Sequence, residues 1–193
     1  MCRLHHRFNM KILAMQSPKK SKIENGRQTV RLKFQKARQF LNPVNAIIQI
    51  GFARGKNKGT AIGRAMSYTL HSAMEGLYPD ITVNASQVRL SAGVLSGLRV
   101  TDISRVGMSI SVSWDPQVSR VACTEDDDRV LLCAYAVEQE LAAVNEEQVW
   151  RKAGKLQLKL PAGMEQFGVH LYLIVHDRSK QNCSNSQYLG WYN

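Results

Sequence analysis

"MSISVSW", residues 108–114, decides the fold. Met108, Ile110, Val112 and Trp114 alternate with Ser109, Ser111 and Ser113. An apolar residue at every second position is the signature of a strand with one buried and one wet face. "KLQLKL" (155–160) repeats the pattern, with Leu156, Leu158 and Leu160 against Lys155, Gln157 and Lys159. "VLLCAYAV" (130–137) and "GVHLYLIVH" (168–176) are more continuously apolar strands, and weaker strands are expected near 86–91, 94–100, 140–145 and 185–191. Asp115-Pro116, Pro161-Ala162-Gly163 and Asp177-Arg178 supply the turns between them. About seven short strands at such spacing predict a β-sandwich of the immunoglobulin or fibronectin type III kind.

Upstream the period changes. Val30, Phe34, Ala37 and Leu41 recur at helical spacing within "VRLKFQKARQF" (30–40) and just beyond it. Pro43 disfavours helix at Asn42 and is expected to end or kink the helix there. Val44, Ile47, Ile48 and Phe52 continue the apolar face. A second helix is expected to start at Thr60, a good N-cap residue, and to stop near Gly76. Residues 16–29 are polar, with Pro18 and Gly26, and read as a loop or extended arm. The sequence therefore predicts an α+β chain. A flexible basic arm (1–27) leads into a two-helix region (28–80), and a β-sandwich domain (81–193) follows. Residues 1–10 are expected to be only loosely attached.

Charge is concentrated at one end. Residues 1–64 hold fifteen Lys and Arg against the single acid Glu24, a net of +14. The remaining residues carry −3, and the whole chain +11. Such asymmetry points to an acidic partner or to a solvated basic surface. The candidate polyanion-binding residues are Lys19, Lys20, Lys22, Arg31, Lys33, Lys36, Arg38, Arg54, Lys56 and Lys58. On a helical wheel Arg31 and Arg38 flank the apolar stripe, while Lys33 and Lys36 lie toward the back, so no continuous basic stripe is expected. Few aromatics interleave with these residues, so nucleic-acid binding, if it occurs, is expected to be weak, sequence-independent and dependent on salt.

Catalytic and metal chemistry find little support. "GFARGKNKGT" (51–60) has only three residues between Gly51 and Gly55, and Asn57 after Lys56, so it departs from a phosphate-binding P-loop. His170 and His176 share a strand face but stand about 20 Å apart, too far to share a metal. Cys2 with His5 and His6 lacks the four ordered ligands of a structural zinc site. "TEDDDR" (124–129) could hold calcium but reads better as a solvated loop tip. No pair among Cys2, Cys123, Cys133 and Cys183 has C-x-x-C spacing, and Cys133 reads as a small core residue in a reducing compartment. No catalytic residue, metal site or cofactor is expected. The N-terminus lacks the long apolar run of a signal peptide, and no segment is apolar enough to span a membrane. A cytoplasmic protein without membrane contact is the expectation. Its expected function is that of a non-enzymatic binding or assembly module, acting on a protein partner or on itself, with polyanion binding as the alternative.

The chain resembles a family of domains of unknown function widespread in Bacteroidetes. The residues that carry the resemblance are "MQSPKKSK" (15–22), "QTVRLKFQKARQFLNPV" (28–44), "IGF" (50–52), "TAIGRAMSYTLHSAMEGLYPD" (60–80), "VRLSAGVLSG" (88–97) and "SNSQYLG" (184–190). "MCRLHHRFNM" (1–10) departs from the family's start, where glycines and a short strand precede the "SP" element. The resemblance implies a basic helical start, a β-rich end and no established activity, and it assigns no catalytic residues.

Overall fold

The computed structural model describes residues 19–53, 59–117 and 124–193, with side chains described from residue 26 onward. Three helices come first: α1 (Lys19–Leu41), α2 (Asn45–Gly51) and α3 (Ala61–Ser72). Helix α1 starts well before the expected Gln28. Gly26, the one poor helix former in that stretch, costs only about 1 kcal/mol, and its neighbours are mostly good helix formers. Pro43 ends α1 as expected, and α2 resumes two residues later. Thr60 caps α3, its hydroxyl accepting from the Gly63 N–H at 3.2 Å.

The chain then turns to strands: β1 (Met74–Glu75), β2 (Thr82–Val83), β3 (Arg99–Val106), β4 (Ser109–Asp115), β5 (Arg129–Ala136), β6 (Leu141–Val144), β7 (Val149–Trp150), β8 (Lys155–Lys159), β9 (Val169–His176) and β10 (Gln187–Tyr192). All their pairings are antiparallel. β1 and β2 form a small ribbon, β3-β4-β8 a three-stranded sheet, and β10-β9-β5-β6 a larger sheet, with β7 also on β5. The protein is thus mixed α+β.

Side-chain alternation explains how the layers stack. Ile110, Val112 and Trp114 of β4, with Leu156 and Leu158 of β8, form one apolar cluster with Val130, Leu132 and Ala134 of β5 and Leu171 and Leu173 of β9. The opposite parity of β5 and β9 offers Cys133, Tyr135, Tyr172 and Ile174 to the helices, where they meet Phe40, Leu41, Ile48 and Phe52. β5 and β9 are therefore buried on both faces, which is why their sequences are continuously apolar while β4 and β8 alternate.

Three expectations need correction. Met108 belongs to the β3–β4 hairpin turn beside Gly107 (φ 56°) and is 39% exposed, so the buried face begins at Ile110. Residues 86–91 form no strand. A 3₁₀ turn at Ala85–Gln87 is nucleated by the Asn84 side chain, which accepts from the Ser86 N–H at 3.0 Å. In the 94–100 region the strand begins only at Arg99.

The extended segment from Leu90 to Leu98 has no continuous strand partner and is tied down instead by residues 183–187. Ser186 Oγ accepts from the Leu90 N–H (3.0 Å), and the Ser91 hydroxyl donates to the Ser184 carbonyl (2.8 Å). Asn185 Oδ1 accepts from the Gly93 N–H (3.3 Å), and the Cys183 carbonyl from the Leu95 N–H (3.0 Å). The Cys183 thiol donates to the Gly51 carbonyl at 2.9 Å, and the Ala92 N–H reaches the same oxygen at 3.1 Å. Three of the sequence stretches singled out above, 50–52, 88–97 and 184–190, thus meet in one backbone-dense junction. These small and polar residues serve the fold, where backbone groups without a ladder partner need side-chain ones.

Candidate functional site

Helix α1 offers two distinct surfaces. The residues it buries are Ala37, Phe40 and Leu41, with Lys33 and Lys36 half-buried beside them. At 100° per residue this buried face is turned about 60° from the stripe expected from Val30, Phe34, Ala37 and Leu41. Val30 and Phe34 are accordingly 54% and 51% exposed. Arg27, Arg31 and Arg38 are exposed and fall within about 40° of one another, with Phe34 at their border. With Arg27, which sequence reading did not single out, Arg31 and Arg38 make one short basic stripe, while Lys33 and Lys36 lie half-buried on the packed side. Sequence alone missed the buried face because Val30 and Phe34 carry the period, whereas α3, β2 and Tyr135 of β5, packed against α1, fix which face is covered.

Of the other candidate residues, Lys19, Lys20 and Lys22 lie on the first turns of α1, with side chains outside the described set. Arg54, Lys56 and Lys58 lie outside the described residues. Arg64, not singled out from sequence, is used structurally: its guanidinium donates to the Phe52 and Gly59 carbonyls.

The second surface is a cavity of about 240 Å³ beneath α1. Lys36, Gln39 and Phe40 of α1, Thr82 and Val83 of β2, and Tyr135 and Val137 at the end of β5 line it. Phe40 meets the Tyr135 ring edge-on, centroids 5.0 Å apart at 83°. Tyr135 is fully buried, yet its hydroxyl has no hydrogen-bond partner among the described residues. Burial, reinforced by the nearby Glu140 carboxylate and by Cys133, pushes this phenol far above its ordinary range, so it stays protonated and can only gain by donating. Glu140 itself is exposed and accepts from Gln39 Nε2 at 2.6 Å. No sequence signal marks Tyr135, one apolar-run residue among several.

The acidic loop is spent on structure. Asp128 Oδ2 accepts from the Glu125 N–H at 3.1 Å and stands 3.7 Å from Arg151 Nε, both side chains almost wholly buried. Asp127 pairs with Arg178 at 3.0 Å. Among the described residues no group of three or more His, Cys, Asp or Glu could hold a metal ion, and no helix is long and apolar enough to cross a membrane.

No curated protein and no solved structure matches the chain. A protein family does, over residues 9–190, from before α1 to the middle of β10, so that both α1 surfaces and the 183–187 junction fall within the matched region. With nearly its whole length matched, the chain belongs to a family of unknown function, DUF6266.

Proposed function

We propose that the protein is a non-enzymatic binding or assembly module whose contact surface is the exposed side of α1. The observation behind this reading is the stripe of Arg27, Arg31 and Arg38 with Phe34 and Val30 half-exposed along its edge. Arginine beside an exposed aromatic is the composition from which protein interfaces draw most of their binding energy. An acidic face on a partner protein, or on a second copy, complements it. The proposal takes the two sheets as an immunoglobulin- or fibronectin type III-like sandwich, supported by seven longer strands divided three and four between two antiparallel sheets. It takes the compartment as cytoplasmic, supported by Cys133 and Cys183 as buried free thiols.

Sedimentation velocity across a concentration series tests the self-assembly form. Association that Phe34→Glu abolishes, and that Val106→Glu on the exposed face of the three-stranded sheet leaves intact, supports it. A chain that stays monomeric throughout excludes it. The second reading, sequence-independent polyanion binding, draws on the same arginine line together with Lys19, Lys20 and Lys22. Duplex and single-strand affinities over a salt series separate the two: phosphate contacts give a steep linear fall with log salt. Affinity that survives high salt or prefers one sequence would make nucleic-acid recognition primary.

A further inference from the structure

Taking α1 as the contact surface, we propose that its exposed side pairs with an acidic amphipathic helix of a partner protein, as in a two-stranded coiled coil. Val30, Phe34, Ala37 and Leu41 have the alternating three- and four-residue spacing of a heptad seam, with Phe34 and Leu41 at a and Val30 and Ala37 at d. The fold covers only one end of this seam. Ala37 and Leu41 are fully buried, whereas Val30 and Phe34 are exposed. Among the described side chains of α1, none before Ala37 is buried. From Ala37 back to Val30 the seam therefore runs about 10 Å past its cover, at 1.5 Å per residue.

Charge selects the occupant. Arg31 and Arg38 stand at the e positions beside the seam, and both are exposed. Helix α1 carries eight basic residues against one acid, Glu24. A second copy laid on the seam would set arginine against arginine in the antiparallel sense, or against Lys33 at g in the parallel one. Like charges at these positions disfavour both pairings. A nucleic-acid duplex matches the arginines but offers nothing to Val30 and Phe34. A helix with Leu at a and d and Glu at e and g meets both demands: its leucines cover Val30 and Phe34, and its carboxylates face Arg31 and Arg38.

The test is fluorescence anisotropy of the full chain with a labelled four-heptad peptide carrying Leu at a and d and Glu at e and g. Its own like charges keep this peptide from pairing with itself at neutral pH. The controls are a shuffled peptide of the same composition and a heptad peptide with Lys at e and g. The acidic heptad peptide is expected to bind about tenfold or more tighter than the shuffled one, since burying even one Leu-sized side chain gives that much. The Lys peptide is expected not to bind. Phe34→Glu is expected to weaken the acidic peptide about tenfold or more, as removal of an aromatic anchor does. Arg31→Glu/Arg38→Glu is expected to lose the acidic peptide and to take the Lys peptide instead, a gain that misfolding cannot mimic. Failure of the acidic peptide to bind overturns the proposal. So does equal binding of the shuffled peptide, which would leave the polyanion reading alone. Self-association of the free chain that depends on Phe34, without peptide binding, would overturn this partner while keeping α1 as the contact surface.

Discussion

The side chain of Gln187 pairs with both backbone groups of Leu98: Gln187 Oε1 accepts from the Leu98 N–H at 2.7 Å, and Gln187 Nε2 donates to the Leu98 carbonyl at 2.9 Å. One amide side chain does here what a neighbouring strand does elsewhere. Gly97 makes room for it, since a Cβ there would stand 2.6 Å from Gln187 Oε1. Gln187→Ala should cost about 2 kcal/mol, two net hydrogen bonds of ordinary worth, read from urea unfolding. Gln187→Glu should cost more at neutral pH, because the carboxylate would face the Leu98 carbonyl without a proton to offer.

Two glycines should respond in opposite directions. A Cβ on Gly51 would lie 2.2 Å from the Leu90 carbonyl oxygen and 2.5 Å from Ser91 Cβ, both held by the 183–187 junction. Gly51→Ala should cost about 3 kcal/mol or more, at or beyond the upper end of overpacking penalties, or prevent folding. Gly26 has nothing within 4 Å, and Gly26→Ala should gain up to about 1 kcal/mol of helix stability. Circular dichroism and thermal melts of the two variants check this.

Trp114 fills the space between the sheets and donates its indole N–H to the Arg151 carbonyl at 2.7 Å. Trp114→Ala should cost about 3–5 kcal/mol, as large aromatic deletions in cores do. Ser111→Ala, on the opposite parity of the same strand, should change stability by about 0.5 kcal/mol or less. A larger effect at Ser111 would contradict the register of β4.

Stability should fall as the pH drops below neutrality. Burial lowers the pKa of His176, and of the half-buried His170, from the ordinary 6.5. Neutral His176 donates its Nδ1–H to the Asp177 carbonyl (2.7 Å). Because the unfolded chain takes up these protons first, the histidines' contribution is complete above about pH 6.5 and is lost as pH falls through their lower folded values. Denaturant unfolding between pH 7 and pH 5, about the range in which histidine titrates, should show this slope in the native chain and a flatter one in the His170→Gln/His176→Gln variant.

What the sequence disclosed follows from how each element is buried. β4 and β8 cover the outside of the larger sheet and alternate strictly, so their register could be read directly. β3 exposes Arg99, Thr101, Asp102 and Ser104, leaving only Val100 and Ile103 to mark its inner face, and its eight residues went largely unrecognised. Residues 88–98 look strand-like, but side chains from almost a hundred residues away satisfy their backbone, and no local pattern announces that. On α1 the period was right and the phase wrong, because Val30 and Phe34 project past the neighbours that bury Ala37 and Leu41. The cavity depends on which rings leave space between α1 and β5, a matter of tertiary packing.

The junction at residues 183–187 also governs timing. Gly51, Leu90, Ser91, Gly93 and Leu95 wait for partners that are translated much later, so the α2 end and the 90–98 segment cannot close until residues 183–187 have been made. Such distant closure makes folding slow relative to helix formation. A chain cut just before Cys183 would thus keep its helices but leave the α2 end and the 90–98 segment open to proteases and chaperones.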